Sequence, residues 1–196
     1  MTTTHGSLAR RALRAGALTV GLGGLSLGGA VAAHAAPIPA LHTTARAVRT
    51  AAPQWATYDA RTKTASLTVI SAYGADTYNF NGGIRGRFTF TVPLGSKVVV
   101  TYTNQSMHMP HGVEIVPFTT QLPTMVPPPA PAFPGAASPN YLHGTPSGVT
   151  QHFSFVADKA GTYRMICPVH NHVKFGHWDW FVVSATARTA TGALAA

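Results

Sequence analysis

The feature that most constrains this chain is a succession of short alternating segments, each closed by a turn signal. Ser66–Tyr73, Arg87–Val92, Lys97–Thr103, Gly112–Val116, His152–Val156, Gly161–Ile166 and Trp178–Val183 are rich in β-branched and aromatic residues. In the second of these, Phe88, Phe90 and Val92 occupy one phase and Thr89 and Thr91 the other. A period of two places one set on each face of a strand. Asn81-Gly82-Gly83 and Pro93-Leu94-Gly95-Ser96 read as turns. No segment keeps a helical period. Seven short strands between Gly/Pro turns predict an all-β sandwich or barrel.

The strands fall inside one domain's worth of chain. The protein has 196 residues, and 45% are apolar, enough for a core. The first 35 residues read as an export signal. Arg10-Arg11 approach a twin-arginine pattern, a charge-free Gly-rich run extends from Ala15 to Ala33, and Ala33-His34-Ala35 is a small-x-small cleavage site. The plain secretory route stays open. If left uncleaved, the run is long enough to anchor the chain in a membrane, though its glycines weaken a membrane helix. Residues 36–54 read as a flexible spacer. The folded domain is expected over 55–184, and 185–196 is expected to be a disordered tail.

Loss of the signal removes Arg10, Arg11 and Arg14, leaving 14 − 3 = 11 basic against 5 acidic residues, or +6. The charges are scattered, and no basic run suggests nucleic acid. This surplus reads either as a solvated surface or as steering toward an acidic partner or a membrane surface. With five acids, none near another, there is no paired-carboxylate site. Nor is there a phosphate loop or a Ser/His/Asp triad.

The chemistry concentrates between Cys167 and His177. The intervening sequence is Pro-Val-His-Asn-His-Val-Lys-Phe-Gly, and Cys167 is the single cysteine of the chain. Cys167, His172 and His177 are spaced five and five. They can converge if the loop turns tightly, as Pro168, Asn171 and Gly176 permit. A thiolate with imidazoles suits copper or zinc, and an electron-transfer copper site takes two His and one Cys. The alternative is a buried thiol beside surface histidines. A further His must come from elsewhere. His108 and His111 are the candidates, and His111 is favoured because it leads into the segment Gly112–Val116.

Pro117–Pro146 interrupts the strand spacing and holds nine of the fifteen prolines. It reads either as a stiffened surface loop or as a flap packed beside the metal site.

Met109-Pro-His-Gly-Val113 resembles the segment that supplies the first His of blue copper proteins, the cupredoxins. Similarity to the sulfocyanins goes further. Tyr78-Asn-Phe-Asn-Gly82, Val92-Pro-Leu-Gly95, Thr103-Asn-Gln105, Pro110-His111, Ala132-Phe-Pro-Gly-Ala136, Ser138-Pro-Asn140 and Ala160-Gly-Thr-Tyr-Arg164 resemble that family's segments in the same order. The resemblance covers about 55–184. It implies a cupredoxin-like Greek-key β-sandwich with a long Pro-rich loop, binding one copper ion. It also implies electron carriage in a respiratory chain outside the cytoplasm. By the match, His111, Cys167 and His172 are the equatorial ligands.

Two departures stand out. His177 occupies the position of the family's axial Met, just before the expected Trp178. Gly112 replaces an Asn that in these proteins braces the Cys-bearing segment. Imidazole is a stronger donor than thioether, and axial identity tunes the potential. A perturbed, red or green type of centre with a lowered potential is therefore expected. His170, three residues after Cys167, competes with His172, and Cys with three His also suits zinc.

Three functions are compatible with these residues. The first is a monomeric carrier of single electrons between redox partner proteins, with His172 as the exit and Trp178 and Trp180 packed in the core. The second is a copper enzyme or a binder of small molecules such as nitric oxide. The third is copper storage or delivery, using Met107, His108 and Met109.

Overall fold

The computed structural model describes residues 53–119, 121–122 and 129–196. The expected export signal lies outside the described residues, as does all but the last two residues of the expected spacer. No helix among the described residues is long and apolar enough to cross a membrane.

Among the described residues, nine strands form two sheets. Their order along the chain is β1 (Ala56–Asp59), β2 (Thr64–Ser71), β3 (Phe88–Pro93), β4 (Ser96–Asn104), β5 (Glu114–Pro117), β6 (Thr150–Ala157), β7 (Gly161–Ile166), β8 (Trp178–Ser184) and β9 (Thr191–Leu194). One sheet has the order β1-β2-β4-β6 and the other β5-β7-β8-β3-β9. The pairs β2–β4 and β3–β8 are parallel, and the remaining pairs are antiparallel. A parallel pair cannot be joined by a tight hairpin. The chain therefore crosses between sheets, and both sheets contribute to one core.

That core follows from the alternation. Leu67, Val69, Val98, Val100, Tyr102 and Phe155 project from the first sheet, and Phe88, Phe90, Val92, Met165, Phe181 and Val183 from the second. Burial alternates strictly along β4 and β8, as strand geometry dictates. Full burial of one such aromatic or branched side chain contributes about 1.5–3 kcal/mol.

All seven predicted strands are present, with ends displaced by up to two residues. The segment led by Gly112 becomes regular at Glu114. β1 is an addition, closed by an Asx turn in which Asp59 Oδ1 accepts from Arg61 N at 2.9 Å and Thr62 N at 3.3 Å.

The tail requires correction. Residues 185–196 were expected to be disordered, yet Thr191–Leu194 forms β9 and pairs with β3. Its composition carries little β propensity, and its register rests on close packing instead. A Cβ at Gly192 would fall 2.7 Å from the Phe90 ring and 2.9 Å from Trp55 Cβ. The tail thus covers what would otherwise be the open edge of β3.

Trp178 and Trp180 are both half-buried, and Trp178 packs, as expected, against a small core cluster of Val116, Ile166 and Val173. With Phe118 the two tryptophans surround the Arg164 guanidinium, whose central carbon is 5.0–5.6 Å from the three ring centres.

Truncation after Ala187 tests β9. A disordered tail could be removed without effect, whereas loss of β9 is expected to lower Tm by about 4 °C or more in thermal unfolding of the otherwise full chain.

Candidate metal centre

The β7–β8 hairpin supplies three of the four candidate donors. Ile166 pairs with Trp178 at its open end, so Cys167 and His177 are the next residues outward and face one another. Cys167 N donates to His177 O at 3.0 Å, closing the base of the loop. Inside it, His172 N donates to Val169 O at 3.0 Å and His177 N to His172 O at 3.1 Å. Asn171 has φ 65° and Gly176 φ 104°, left-handed conformations that Asn and Gly tolerate. The turn residues singled out in the sequence thus sit where the loop reverses.

The fourth donor comes from the connection between β4 and β5, which passes from one sheet to the other. His111 lies in an isolated bridge with Thr145, donating N–H to its carbonyl at 3.2 Å and accepting from its N–H at 2.7 Å. Asn104, at the end of β4, ties this bridge down. Its Nδ2 donates to Met109 O and to Thr145 O, both at 2.8 Å, and its Oδ1 accepts from Ser106 N at 3.0 Å.

Thr145 belongs to the Pro-rich segment, and the described part of that segment packs against the site as a flap. Ala137 bridges Glu114, and Phe133 enters the core. Gly112 passes so close that a Cβ would lie 2.4 Å from Tyr141 O. With Gly112 in place of the family's Asn, the brace is either absent or supplied by another group, and here the backbone supplies one: Gly112 N donates to Cys167 Sγ at 3.3 Å. Asn104 and Thr145 escaped sequence reasoning, because a buried Asn bridging two loops has no local signature. The Thr103-Asn-Gln105 match was the available signal.

The donors converge. His111 Nδ1, Cys167 Sγ and His172 Nδ1 are separated by 3.8, 3.3 and 3.1 Å. With one atom from His177 the set lies within 4.8 Å and could hold a metal ion. Bonds of about 2.0 Å to nitrogen and 2.3 Å to sulfur from a shared ion subtend the three separations among His111, Cys167 and His172, whereas the wider spread that includes His177 calls for a longer bond to that ring. His170 is exposed and stands outside the cluster.

Burial sets the protonation of the donors. It lowers His111 and His172 to about 4, with His172 adding to the shift of His111 and His170 to that of His172. His177 lies well below the usual imidazole value through burial, then through His111 and His172. All three rings are neutral and keep a lone pair for a cation. Burial pushes the Cys167 thiol up to about 12, opposed by the N–H groups of Gly112 and Val169. His177 Nε2 meets Ser71 Oγ at 3.3 Å, while its buried Nδ1 has no hydrogen-bond partner among the described residues. A thiol and three neutral imidazoles, crowded and incompletely satisfied, fit a soft or borderline cation.

Glu114 stands apart from this set although it lies opposite Ile166. It is fully buried, and neither carboxylate oxygen has a hydrogen-bond partner among the described residues. Burial pushes it from 4.5 to about 8, so it is a neutral acid at pH 7.

Two substitutions test this arrangement. Asn104→Ala strands the Met109 and Thr145 carbonyls. It is expected to destabilise the fold by about 1–3 kcal/mol and weaken metal binding about 10–100-fold, read by denaturation and competitive metal titration. Glu114 binds its proton more tightly when folded, so its contribution is full below about pH 4.5 and lost as pH rises to about 8. Glu114→Gln should therefore raise Tm by about 4 °C or more near pH 9 and far less near pH 4.5.

Comparison with known proteins identifies the family. A family model described as the sulfocyanin (SoxE) domain matches residues 52–191, well over half of the chain. The sulfocyanin of Sulfolobus acidocaldarius is 29% identical over 142 residues, covering 65% of this chain and 67% of that protein. Among solved structures, dithionite-reduced auracyanin from Roseiflexus castenholzii is 21% identical with a TM-score of 0.47, covering 61% of this chain and 96% of its own. Auracyanin A of Chloroflexus aurantiacus, described as a "blue" copper protein, is 21% identical with a TM-score of 0.46, covering 62% and 99%. The chain belongs to the sulfocyanin family of cupredoxins, copper-binding proteins of electron transfer.

Proposed function

We propose that this protein carries single electrons outside the cytoplasm, in a respiratory chain, on one copper ion held by His111, Cys167, His172 and His177. The observation that carries this reading is the cluster itself: four neutral soft and imidazole donors, buried together, with a histidine at the end of the ligand loop. Copper bound there supplies a one-electron couple. The protein's part is to hold the donors still. A site whose donors do not move between oxidation states exchanges electrons with little reorganisation, and rigid elements provide this best. The base of the hairpin fixes Cys167 and His177, and the Asn104–Thr145 bracing fixes His111.

Burial excludes water from the site. His111, Cys167 and His177 are wholly buried, and His172 is 4% exposed. His172 is therefore the edge through which an electron has the shortest way out. The Tyr78 ring stands 5.1 Å from the His172 ring and 4.9 Å from that of Phe175, which is half exposed. The export signature of residues 1–35 supports a location outside the cytoplasm. Redox partner proteins are expected there, met by a monomer.

His177 in place of the usual thioether supports a perturbed centre: with copper bound, its imidazole would donate more strongly than a thioether and would favour the oxidised ion. Its second nitrogen meets Ser71 Oγ, which is 2.9 Å from the Tyr102 hydroxyl. This polar chain orients the ring within an otherwise apolar core.

The copper-loaded protein should show a red or green absorption and spin-resonance signature. His177→Met should convert it toward an ordinary blue spectrum and raise the reduction potential. A blue wild-type spectrum, or a variant spectrum identical to the wild type, defeats the assignment of His177. A spectrum that shifts on adding azide or nitric oxide would point to an open position and to small-molecule binding.

A further inference from the structure

The donors raise a problem of access. The most exposed of the four is only 4% accessible, and the site lies under the flap and the ligand loop. An ion must reach it through some opening. The only donor with exposure is His172, so the opening lies on its side of the cluster.

Tyr78 forms the wall there. Its ring lies edge-on to three candidate ligand rings, with centroids 5.1 Å from His172, 6.2 Å from His111 and 6.4 Å from His177. Tyr78 is half-buried. On its outer side the hydroxyl donates to Met109 Sδ at 3.8 Å. The thioether of Met109 is therefore one aromatic ring away from the buried donors.

Met109 is half-buried, and its neighbours in the chain are open. His108 is exposed, and Met107 is 82% exposed. A methionine that far into water forgoes the burial that its side chain normally gains. The backbone here is pinned rather than loose. Met109 O accepts from Asn104 Nδ2 at 2.8 Å and also from Ser106 Oγ. The side chains of Met107, His108 and Met109 thus project from a fixed support that continues through Pro110 into His111.

Two thioethers and an imidazole select a soft ion. Thioether favours Cu(I), whereas hard divalent cations prefer oxygen donors. We propose that Met107, His108 and Met109 form a capture site for Cu(I), and that Tyr78 is the gate through which the ion passes to His111, Cys167 and His172. The inference rests on the copper reading and adds a route for acquiring the metal.

The transfer is an exchange of ligands with no change of oxidation state. The captured ion keeps its single charge. Bonds to the thioethers and to His108 break as bonds to the imidazoles and sulfur form. The Cys167 thiol gives up its proton to solvent as its sulfur binds, since thiolate is the ligand. Tyr78 contributes by rotating aside, and its ring afterwards closes the site against water.

Metal-free full chain, presented with Cu(I) as its bicinchoninate complex without oxygen, tests this. Decay of that complex's colour reports uptake, and each variant's rate is scaled to its own final amplitude. The double variant Met107→Leu, Met109→Leu keeps apolar bulk without sulfur. It should take up Cu(I) about tenfold more slowly or worse, the scale on which supporting groups alter metal sites. Tyr78→Ala should speed uptake, and Tyr78→Phe should load at nearly the wild-type rate. Equal rates for the double variant and wild type overturn the proposal while leaving the copper site standing. Failure of the wild type to take up any Cu(I) overturns the copper reading and this inference with it.

A direct measurement covers the case of a variant that folds poorly. In Cys167→Ala, added Ag(I), a redox-inert stand-in for Cu(I), should shift the methyl resonances of Met107 and Met109. Unmoved methyl resonances overturn the capture site.

Discussion

The structure turns on the burial of four electron-pair donors against one another with no cation of the protein's own among them. Three imidazoles kept neutral by burial and one thiol pushed up to about 12 are brought within 4.8 Å. Such a cluster costs free energy by itself, because polar atoms lose water and gain few hydrogen bonds. The fold carries that cost through its aromatic core and ladders, and a bound ion relieves it. Metal affinity and fold stability are therefore linked quantities here.

Support for the cluster comes from two directions that share no local sequence. The β7–β8 hairpin fixes three donors by closing an eleven-residue loop, Cys167 to His177, on a hydrogen bond between its own ends. The fourth is fixed by the bridge between His111 and Thr145, with Asn104 bonded to both sides of it. Gly112 joins the two systems. It lacks a side chain because the flap backbone at Tyr141 occupies that space, and its N–H reaches the Cys167 sulfur. The small residue next to His111 leaves room for the flap and lets the backbone supply the brace.

Polar and aromatic groups around the site divide the work. Ser71, bonded in turn to Tyr102, reaches His177, whereas Tyr78 packs against the His172 ring and Phe175 against Tyr78. Glu114 and Asp179 sit in the same sheet as buried acids, both raised to about 8 chiefly by desolvation. Neutral at pH 7, they add no negative charge beside the donors. The centre is thus surrounded by dipoles and rings rather than by charges, which suits an ion that alternates between two oxidation states.

The sequence by itself determined the strand class and the seven main strands, and it singled out the four residues that the fold gathers into one cluster. Those properties are local: a period of two assigns a residue to a face, and Cys167, His172 and His177 lie within one short loop. The choice of His111 over His108 also came from sequence, through the Pro-His segment and its lead into Gly112–Val116. Tertiary structure alone decided the rest. Whether residues 185–196 formed a strand depended on the open edge of β3 and on the space beside Phe90, neither of which those residues encode. Whether the Pro-rich segment was a surface loop or a flap depended on Thr145 meeting His111, a pairing between positions 34 residues apart. Exposure of His170 and burial of His172, two positions apart, followed from the direction in which the loop turned. Each outcome depends on which distant surfaces compete for the same space, and a linear pattern holds no record of that competition.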